Sequence, residues 1–330
     1  MEKDSLTLSI GIPVRNESRN LTQFIFSLID AVEALRSAFP ELSIETLFCV
    51  NDTTDDSPRL IQLLALPVLC LNAQLIESSP GKINAIMEIS RLRNFQGVAC
   101  FMDADILLEK DCLVNLFQDF LESETFLVYS SVHAVTKRES FMQKVQKAHY
   151  RLRHDVTPRN YFHGRTYLLR DTSVFAENFR TSEAGRNWNL DSGPLVEDIY
   201  LSRVIAHQYG LSGMRENSAA KVYFVPPKTL GDFYLGQRRL LMEIHRLNLL
   251  YPEHSYVQKK HFKKKVKWSY FLDRNVSLKH FVKYLIYFSI EESVRLLVRL
   301  EMFLISIGVL KCKKIWKPIH STKTLQHELR

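Results

Sequence analysis

Short apolar runs alternate with amphipathic stretches over the first third of the chain. The apolar runs predict β-strands at residues 6–12, 44–50, 68–71 and 97–105. Pro13 stops the first strand, and the fourth ends in an acidic tripeptide at residues 103–105. Between the strands, apolar positions at helical spacing predict a helix from a cap at Asn20 to residue 39, and another that starts after Gly81.

The rest of the chain continues this alternation less regularly. It predicts strands at residues 126–135 and 221–225, a helix from residue 195 to Gly210, and a helix from Asp232. Strands that alternate with helices indicate an α/β fold, in which a mostly parallel sheet is flanked by helices. Such sheets bind ligands beyond the carboxyl ends of their strands. Pro13, Asp52 and Asp103 fall at that edge, so we expect three polar loops to converge on one crevice.

Composition narrows the class of protein. With 330 residues, 46% hydrophobic and 24% charged, the chain can bury one large core or two modest ones. Five cysteines without metal-ligand spacing, and a polar N-terminus without a signal-peptide apolar region, favour a cytoplasmic protein with free thiols. The net charge of +8 is uneven, because residues 259–330 hold 17 Lys and Arg against 5 Asp and Glu, and the remainder holds 27 against 31. This mildly acidic body argues against nucleic acid as a partner.

The acidic tripeptide consists of Asp103, Ala104 and Asp105, and it follows a buried strand at the point where that strand meets solvent. Mg²⁺ and Mn²⁺ prefer hard oxygen ligands of this kind together with substrate phosphates. Asp103 and Asp105 are therefore candidate ligands of a divalent cation that holds a diphosphate. The alternative is that the tripeptide only caps the helix that begins near Glu109.

Gly81 and Lys82 stand at a predicted helix start. There they can bring a backbone amide and an ammonium group to a phosphate. The alternative is a plain helix entry with a solvated lysine. No Gly-x-Gly-x-x-Gly follows the first strand and no Gly-Lys-Ser/Thr loop is present, which excludes the usual dinucleotide-binding and P-loop phosphate sites.

Two further motifs lie on predicted helices. Glu197 and Asp198 open one helix, where two acids are also favoured simply by the helix dipole. Gln237, Arg238 and Arg239 lie in the next helix. The two adjacent guanidinium groups can clamp a diphosphate, or they can decorate a solvated face.

Six short motifs thus occur in a fixed order. They are residues 12–17, the acidic turn after the second strand, Gly81-Lys82, Asp103-Ala104-Asp105, Glu197-Asp198 and Gln237-Arg238-Arg239. Over residues 6–245 this order resembles that of the inverting family 2 glycosyltransferases. The resemblance implies a GT-A fold, with a Rossmann-like half for the nucleotide sugar and a second half for the acceptor. It also implies metal-dependent transfer of a sugar from a nucleotide-sugar donor, most typically a UDP-sugar, to an acceptor hydroxyl.

The resemblance implies roles for individual residues. Asp52 would read the nucleotide base, Lys82 would lie near the diphosphate, and Asp103 would face the ribose or the metal. Asp105 would ligate Mn²⁺ or Mg²⁺, and Asp198 would be the general base. The other donor-binding residues would be Pro13, Arg15, Glu17, Gln237, Arg238 and Arg239, and the acceptor-side residues would be Glu197, His163 and Gly164.

The chemistry of sugar transfer requires these residue types. The leaving diphosphate needs stabilisation of its charge by a metal ion and by cationic side chains. The acceptor hydroxyl needs a base to take its proton as attack occurs. A single displacement with one carboxylate base inverts the anomeric centre. We expect the acceptor to be a glycan, a lipid-linked molecule or a protein.

The chain departs from the family pattern at two places. Asn51 and Asp52 stand where the family usually has paired aspartates, and no glycine follows them, so the mode of base recognition is open. Leu240 and Leu241 occupy the Arg and Trp places of the pattern found in processive members, which argues against polymer synthesis.

Two other classes share part of this pattern. Sugar nucleotidylyltransferases have a similar sheet architecture, but their glycine-rich N-terminal loop is absent here. A non-catalytic module that binds a nucleotide sugar or a membrane surface is the alternative to an enzyme. That alternative would be favoured if Asp103, Asp105 and Asp198 failed to converge.

Residues 256–330 predict a basic, amphipathic helical extension that follows a catalytic domain of residues 1–255. The apolar stretch 278–310 has no uncharged run longer than 302–310, short of the ~20 residues of a membrane-spanning helix. Glu291, Arg295 and Arg299 predict a charged stripe along it. Flanking lysine clusters with interleaved aromatic residues suit an anionic membrane surface at the inner membrane face. The alternative is a helical pair that packs on the catalytic domain or forms a dimer interface.

Overall fold

The computed structural model describes residues 7–69, 72–93, 97–136, 139–156, 162–175, 188, 194–262, 269, 271 and 277–310. Within these ranges eight strands form one sheet. They are β1 (Thr7–Val14), β2 (Ser43–Asn51), β3 (Ala73–Ser78), β4 (Val98–Met102), β5 (Ile106–Leu108), β6 (Leu127–Ala134), β7 (Thr166–Leu169) and β8 (Met214–Phe224).

Helices of very different lengths connect and cover these strands. They are α1 (Ser18–Ala38), α2 (Ser57–Leu60), α3 (Leu66–Leu69), α4 (Lys82–Leu92), α5 (Cys112–Glu122), α6 (Phe141–Val156), α7 (Glu197–Gln208), α8 (Leu230–Leu250), α9 (Ser255–His261) and α10 (Leu278–Ser306). A π-helical turn, Ile61–Ala65, joins α2 to α3.

The strand order across the sheet is β3-β2-β1-β4-β7-β6-β8-β5. The block β3, β2, β1 and β4 is parallel throughout, and β6 and β8 are also parallel to each other. Antiparallel pairs join β4 to β7, β7 to β6, and β8 to β5. The predicted α/β architecture, a mostly parallel sheet flanked by helices with a C-terminal helix, is confirmed.

The central strands are buried on both faces, which explains their continuous apolar runs. Alternate residues of β1, from Leu8 to Val14, pack with the apolar faces of α1 and α5. Leu47 of β2 and Phe101 of β4 pack on the other face, with residues of α4, α7 and α8. Gly11 of β1 permits the close approach of α4, because a Cβ there would lie 2.7 Å from Cγ2 of Ile89.

Two strand boundaries differ from those that the sequence predicts. Strand β1 continues through Pro13, which pairs with Cys49 of β2. Pairing with β4 covers only Leu8–Gly11, so one side of β1 is open at Pro13, and a proline is tolerated there. The strand predicted at residues 68–71 is wrong, because Val68 lies in α3 and the strand follows as β3.

The C-terminal helix α10 packs its inner side on α6 and α8, with Tyr287, Val294 and Val298 buried between them. The predicted charged stripe of Glu291, Arg295 and Arg299 is wrong at its first two residues, whereas Arg299 is exposed. Glu291 is fully buried and pairs with Arg295 at 2.8 Å, so these charges point inward as a pair. In the part of the chain that the structure describes, no helix is long and apolar enough to cross a membrane.

Candidate active site

Asn51, the last residue of β2, holds the carboxyl ends of β1 and β2 together. Its Nδ2 donates to the carbonyl of Val14 at 3.2 Å, and its Oδ1 accepts from the backbone N–H of Gly81 at 3.3 Å. The amide side chain offers a donor for one of these bonds and an acceptor for the other, which an ionised carboxylate cannot do. The asparagine therefore ties two strand ends to the start of α4.

The loops beyond these strand ends interlock. Arg15 forms an ion pair with Asp52, and Oδ1 of Asn16 accepts from the backbone N–H of Thr54 at 2.8 Å. Asn16 and Asp52 both have a positive φ, 53° and 48°, which non-glycine residues adopt rarely and which is often found at functional sites. Arg15 and Asp52 each keep more than a third of the side chain exposed, so they form the rim of the crevice.

Pro13 and Glu17, the other residues predicted to bind the donor from this region, have structural partners. Pro13 lies inside β1. The backbone N–H of Glu17 donates to Oγ of Ser57 at 2.9 Å, and its Oε2 accepts from Nδ2 of Asn20 at 3.2 Å. Glu17 thereby fixes the start of α1 beside the crevice, and direct contact of either residue with a donor stays a prediction.

Lys82, the first residue of α4, is the centre of the site. Its Nζ donates to Oδ1 of Asp103 at 2.5 Å and to the carbonyl of Gly164 at 3.3 Å, and it pairs with Oε1 of Glu197. Burial favours the neutral amine, but the carboxylates of Asp103 and Glu197 outweigh burial and raise the pKa of Lys82. One ammonium group therefore joins the end of β4, the segment before β7 and the start of α7. Lys82 is not the solvated lysine of the alternative interpretation.

Asp198 lies beside Glu197 in the first turn of α7. Its Oδ1 accepts from the N–H of Ile199 at 2.8 Å, and its Oδ2 accepts a longer bond from the N–H of Gly164 at 3.4 Å. Burial raises the pKa of Asp198, against the opposing effects of Lys82 and of these two N–H groups. The residue stays partly exposed. It is thus a solvent-accessible carboxylate with increased proton affinity.

Gly164 and His163, both predicted on the acceptor side, are placed differently. A Cβ on Gly164 would lie 2.2 Å from Oε1 of Glu197, so only glycine permits the approach of this loop to the carboxylates. Nε2 of His163 donates to the carbonyl of Ser130 at 2.8 Å, and its ring stands edge-on to Tyr129. Gly164 therefore belongs to the carboxylate cluster, whereas Nε2 of His163 anchors the loop to β6.

Asp103 and Asp105 follow the end of β4 with 25% and 28% of their side chains exposed. The N–H of Asp103 donates to the carbonyl of Arg165 at 2.8 Å. Nη1 of Arg165 lies 3.9 Å from Oδ1 of Asp105, and its guanidinium group stands 3.9 Å from the ring centre of Phe224. Sequence reasoning missed Arg165 as a site residue, and its only signal was its position directly after His163 and Gly164.

The two adjacent arginines of α8 reach different partners. Arg239 lies in the electrostatic field of the four site carboxylates, those of Asp103, Asp105, Glu197 and Asp198. Burial nevertheless lowers its pKa. Arg238 instead forms a bidentate pair with Glu301 of α10, with N···O distances of 2.8–3.0 Å. The expected two-arginine clamp does not hold, because Glu301 engages Arg238, and only Arg239 reaches the site.

A divalent metal ion would need ligands from outside the protein as well. The described residues contain no group of three His, Cys, Asp or Glu side chains that could hold a metal ion. Asp103 and Asp105 supply partly exposed carboxylate oxygens. Mg²⁺ and similar ions are commonly held by one or two carboxylates together with waters and substrate phosphates. The residues present therefore fit a site that a diphosphate completes.

Glu197 is expected to make stability depend on pH. Burial, together with Asp198 and Asp103, raises its pKa from 4.5 to about 7, although Lys82 lowers it. The folded protein then binds this proton more tightly than the unfolded chain. The free energy of unfolding should therefore fall as the pH rises from 4.5 to about 7. Denaturation of metal-free wild type and Glu197→Gln at about pH 5 and pH 8 measures this effect. The stability of wild type relative to the variant should be greater at the lower pH, and an equal difference at both would contradict the assignment.

Several solved structures of similar shape come from mycobacteria. Glucosyl-3-phosphoglycerate synthase from Mycobacterium tuberculosis, in complex with Mn²⁺, UDP and phosphoglyceric acid, is 14% identical, with 73% of this chain and 78% of that chain covered and a TM-score of 0.47. The complex of that enzyme with Mg²⁺ and UDP is 14% identical, with 73% of this chain and 79% of that chain covered and a TM-score of 0.47. A structure described as a mycobacterial protein is 14% identical, with 79% of this chain and 83% of that chain covered and a TM-score of 0.48.

The family comparison is more specific. No curated protein matches the chain. The model of "Glycosyl transferase family 2" matches residues 9–180, which include Lys82, Asp103, Asp105 and Gly164. Asp198 and Arg239 lie beyond the match. Because the match spans more than half of the chain, the protein belongs to glycosyl transferase family 2, as its motif order predicts, and is a glycosyltransferase.

Proposed function

We propose that this glycosyltransferase moves a sugar, with inversion and with a divalent metal ion, from a nucleotide-sugar donor to an acceptor hydroxyl. One observation carries the proposal. Lys82 bonds to Asp103 after β4 and to Glu197 at the start of α7, next to Asp198. It therefore joins the acidic motif that suits a metal-bound diphosphate to the carboxylate that suits a base. A non-catalytic binding module, the alternative, would need no such junction.

The donor is proposed to lie over the ends of β1, β2 and β4. Asp52, at the rim with Arg15, would read the base, and a UDP-sugar is the proposed donor because a carboxylate can accept the N3–H of uracil. Lys82 and Arg239 would stabilise the charge that develops on the leaving diphosphate. Oε1 of Gln237 is buried and accepts no hydrogen bond from the described residues. We propose that it accepts a hydrogen bond from a hydroxyl group of the nucleotide sugar.

Asp105 and Asp103 would hold Mn²⁺ or Mg²⁺. When bound, the ion supplies Lewis-acid stabilisation of the leaving diphosphate. Asp103 shares one oxygen, Oδ1, with Lys82. The contact between Asp105 and Arg165 is loose, at 3.9 Å. Both carboxylates keep about a quarter of the side chain exposed, so a metal ion can reach their oxygens.

Asp198 is proposed as the general base on the acceptor side. A carboxylate whose pKa is raised toward neutrality takes a proton more effectively than an ordinary one. Glu197 forms an ion pair with Lys82. It would therefore help to position the acceptor rather than take the proton. One attack by an activated hydroxyl, on the face opposite the leaving group, inverts the anomeric carbon.

A thermal-shift screen of nucleotide sugars with Mn²⁺ tests this proposal. A donor at ~100 times its dissociation constant adds about 2.7 kcal/mol to the free energy of unfolding. We expect UDP-sugars to give the largest shift and EDTA to remove most of it. Lys82→Met should lose the shift while the protein stays folded. The absence of a shift with every nucleotide sugar tested would contradict the proposal.

We also propose that the enzyme works at an anionic membrane surface on the cytoplasmic side, through α10. Its outer side is apolar: Leu296, Leu300 and Phe303, together with Ile307 directly after the helix, are spaced three to four residues apart and are 54–66% exposed. The sequence that follows adds four lysines, Lys311, Lys313, Lys314 and Lys317. An apolar stripe beside basic residues suits an anionic bilayer. A second copy of the chain is a poorer partner, because it would bring like charges together.

This location favours a lipid-linked acceptor over a free glycan or a protein. It also gives a role to the proposed division of the chain into a catalytic domain, residues 1–255, and an extension, residues 256–330. The extension would hold the acceptor side of the catalytic domain at the membrane surface.

The protein is expected to bind vesicles that contain phosphatidylserine at low salt and to lose binding as salt rises. Leu300→Glu/Phe303→Glu should weaken binding at least about tenfold, because two apolar contacts with the bilayer are lost. Leu63→Glu is the matched control, since Leu63 is 59% exposed on the π-helical turn, and it should bind like wild type. Vesicle co-sedimentation measures this. A dimer that the double variant abolishes, with no vesicle binding by wild type, would assign α10 to a second copy instead.

A further inference from the structure

Helix α7 carries Glu197 and Asp198, and the residues that lead into it provide no side-chain cap. The residue before the helix, Val196, is extended and makes no side-chain capping bond. The first backbone N–H groups of a helix have no partner within the helix and must find acceptors elsewhere. Oδ1 of Asp198 accepts from the N–H of Ile199 within the first turn, whereas the amides of Leu195 and Val196, directly before the helix, take their acceptor from another part of the fold.

Glu243 of α8 supplies it. Its Oε1 accepts from the backbone N–H of Leu195 at 2.7 Å, and the N–H of Val196 also donates to this carboxylate. Its Oε2 accepts from Nη1 of Arg246 at 2.7 Å. Both charged side chains are completely buried. A carboxylate of α8 thus binds the two amides that lead directly into Glu197.

We infer that Glu243 is a positioning residue for the general base, because it fixes the segment that sets the place and direction of Asp198. The inference rests on the proposed function of Asp198. Glu243 makes none of the described contacts with Lys82 or Asp103, so its influence runs through the backbone of residues 195–197.

The charge of Glu243 suits this task. A negative group at a helix N-terminus is favoured by the helix dipole. Arg246 compensates the buried charge, and Arg203 of α7 lies close enough for Glu243 to favour its charged form. Buried ion pairs are often no better for stability than apolar residues of similar size. We therefore assign the Glu243–Arg246 pair a second role, in which Glu243 binds the amides of Leu195 and Val196.

The consequence for catalysis is geometric. The base must be held at hydrogen-bond reach of the acceptor hydroxyl, and a shift of about 1 Å can lower the rate about 10²-fold. Donor binding depends on Lys82, Asp105 and Arg239, none of which bonds to Glu243, and Lys82 would keep its bonds to Asp103 and to the carbonyl of Gly164 if Glu197 shifted. Loss of the anchor should therefore lower kcat and leave the KM for the donor nearly unchanged.

Two double variants isolate the anchor from the ion pair. Glu243→Gln/Arg246→Met removes both charges but keeps an oxygen that accepts from Leu195. Glu243→Leu/Arg246→Met removes both charges and that oxygen, with a side chain of similar size. Turnover per folded molecule, the KM for the donor, and hydrogen exchange of the amides of residues 195–199 are measured for both variants and wild type.

We expect the Gln/Met variant to keep kcat within about tenfold of wild type, and the Leu/Met variant to lose about 100-fold in kcat with a nearly constant KM. Exchange at residues 195–199 should accelerate only in the Leu/Met variant. Equal kcat in both variants, or equal exchange, would overturn the inference. If the Leu/Met variant does not fold, wild-type exchange decides: amides of Leu195 and Val196 that exchange like exposed amides would overturn it.

These outcomes separate the inference from the proposed function. Exchange reports on the anchor whether or not transfer is observed. A Leu/Met variant with faster exchange at residues 195–199, combined with an Asp198→Asn variant that still transfers sugar normally, would leave the anchor in place and refute Asp198 as the base.

Discussion

Asp198→Asn is expected to lower kcat by about 10²–10⁴ while the affinities for donor and metal stay nearly constant, because a positioned base contributes about that much. Asparagine keeps the shape of the side chain, and its one amide oxygen can still accept from the N–H of Ile199, so that only the longer bond from Gly164 is lost. It cannot take the proton of the acceptor hydroxyl. Transfer rate and donor affinity, measured on the same folded sample, give both quantities.

A matched control addresses the alternative that Asp198 only stabilises a helix start. Asp232 is also an acidic residue in the first turn of a helix, and its N–H donates to Oγ1 of the capping residue Thr229 at 3.0 Å. Asp232→Asn should lower stability slightly and leave turnover intact. If Asp198→Asn behaves in the same way, with near-normal transfer by the folded fraction, Asp198 is not the base.

Asp105→Ala is expected to abolish Mn²⁺-dependent binding of UDP while the fold stays intact. Nη1 of Arg165 lies 3.9 Å from Oδ1 of Asp105, and partly exposed pairs of this kind contribute only about 0–1 kcal/mol to stability. A carboxylate lost from a two-carboxylate metal site removes a large share of the protein's ligands. Titration calorimetry with UDP, with and without Mn²⁺, measures the effect.

The control for this variant is Asp111→Ala, at an exposed aspartate before α5 that makes no side-chain capping bond. It should bind UDP and Mn²⁺ like wild type. Unchanged, metal-dependent binding by Asp105→Ala would remove Asp105 from the metal site.

The sheet could be predicted where its strands are buried on both faces. Residues 47–50 of β2 and 98–102 of β4 appear in the sequence as continuous apolar runs because helices cover these strands on both sides. The edge strand β3 could not be placed, because polar residues such as Gln74 and Glu77 interrupt its apolar pattern. A short apolar run at residues 68–71 competed with it, and periodicity cannot distinguish such a run from a helix segment.

The positions of the strand ends in the sequence also predict which loops lie near each other. Asp52 and Asp103 follow parallel neighbours, so the topology of the sheet brings their loops together. The directions of side chains on α8 could not be predicted, since neighbouring residues on a helix point roughly 100° apart. Arg238 turns to Glu301, a residue of a helix that lies far along the sequence, and only the packing of α10 decides this.

In helix α10, too, packing against other helices decides which side chains are buried. Its charges predict a solvated stripe, because charged residues usually face water. The fold instead buries Glu291 against Arg295 and leaves Leu300 and Phe303 exposed. A helix with apolar residues on most of its surface has no single side that its sequence marks as the inner one.

The most direct test of the central claim is the fate of the anomeric carbon. The protein is incubated with a UDP-α-sugar, Mn²⁺ and candidate acceptors, and proton NMR follows both the release of UDP and the configuration of the new glycosidic bond. We predict metal-dependent release of UDP, a product of β configuration, and loss of both signals with Asp198→Asn. A product that retains the α configuration, or transfer at the wild-type rate by Asp198→Asn, would contradict the account.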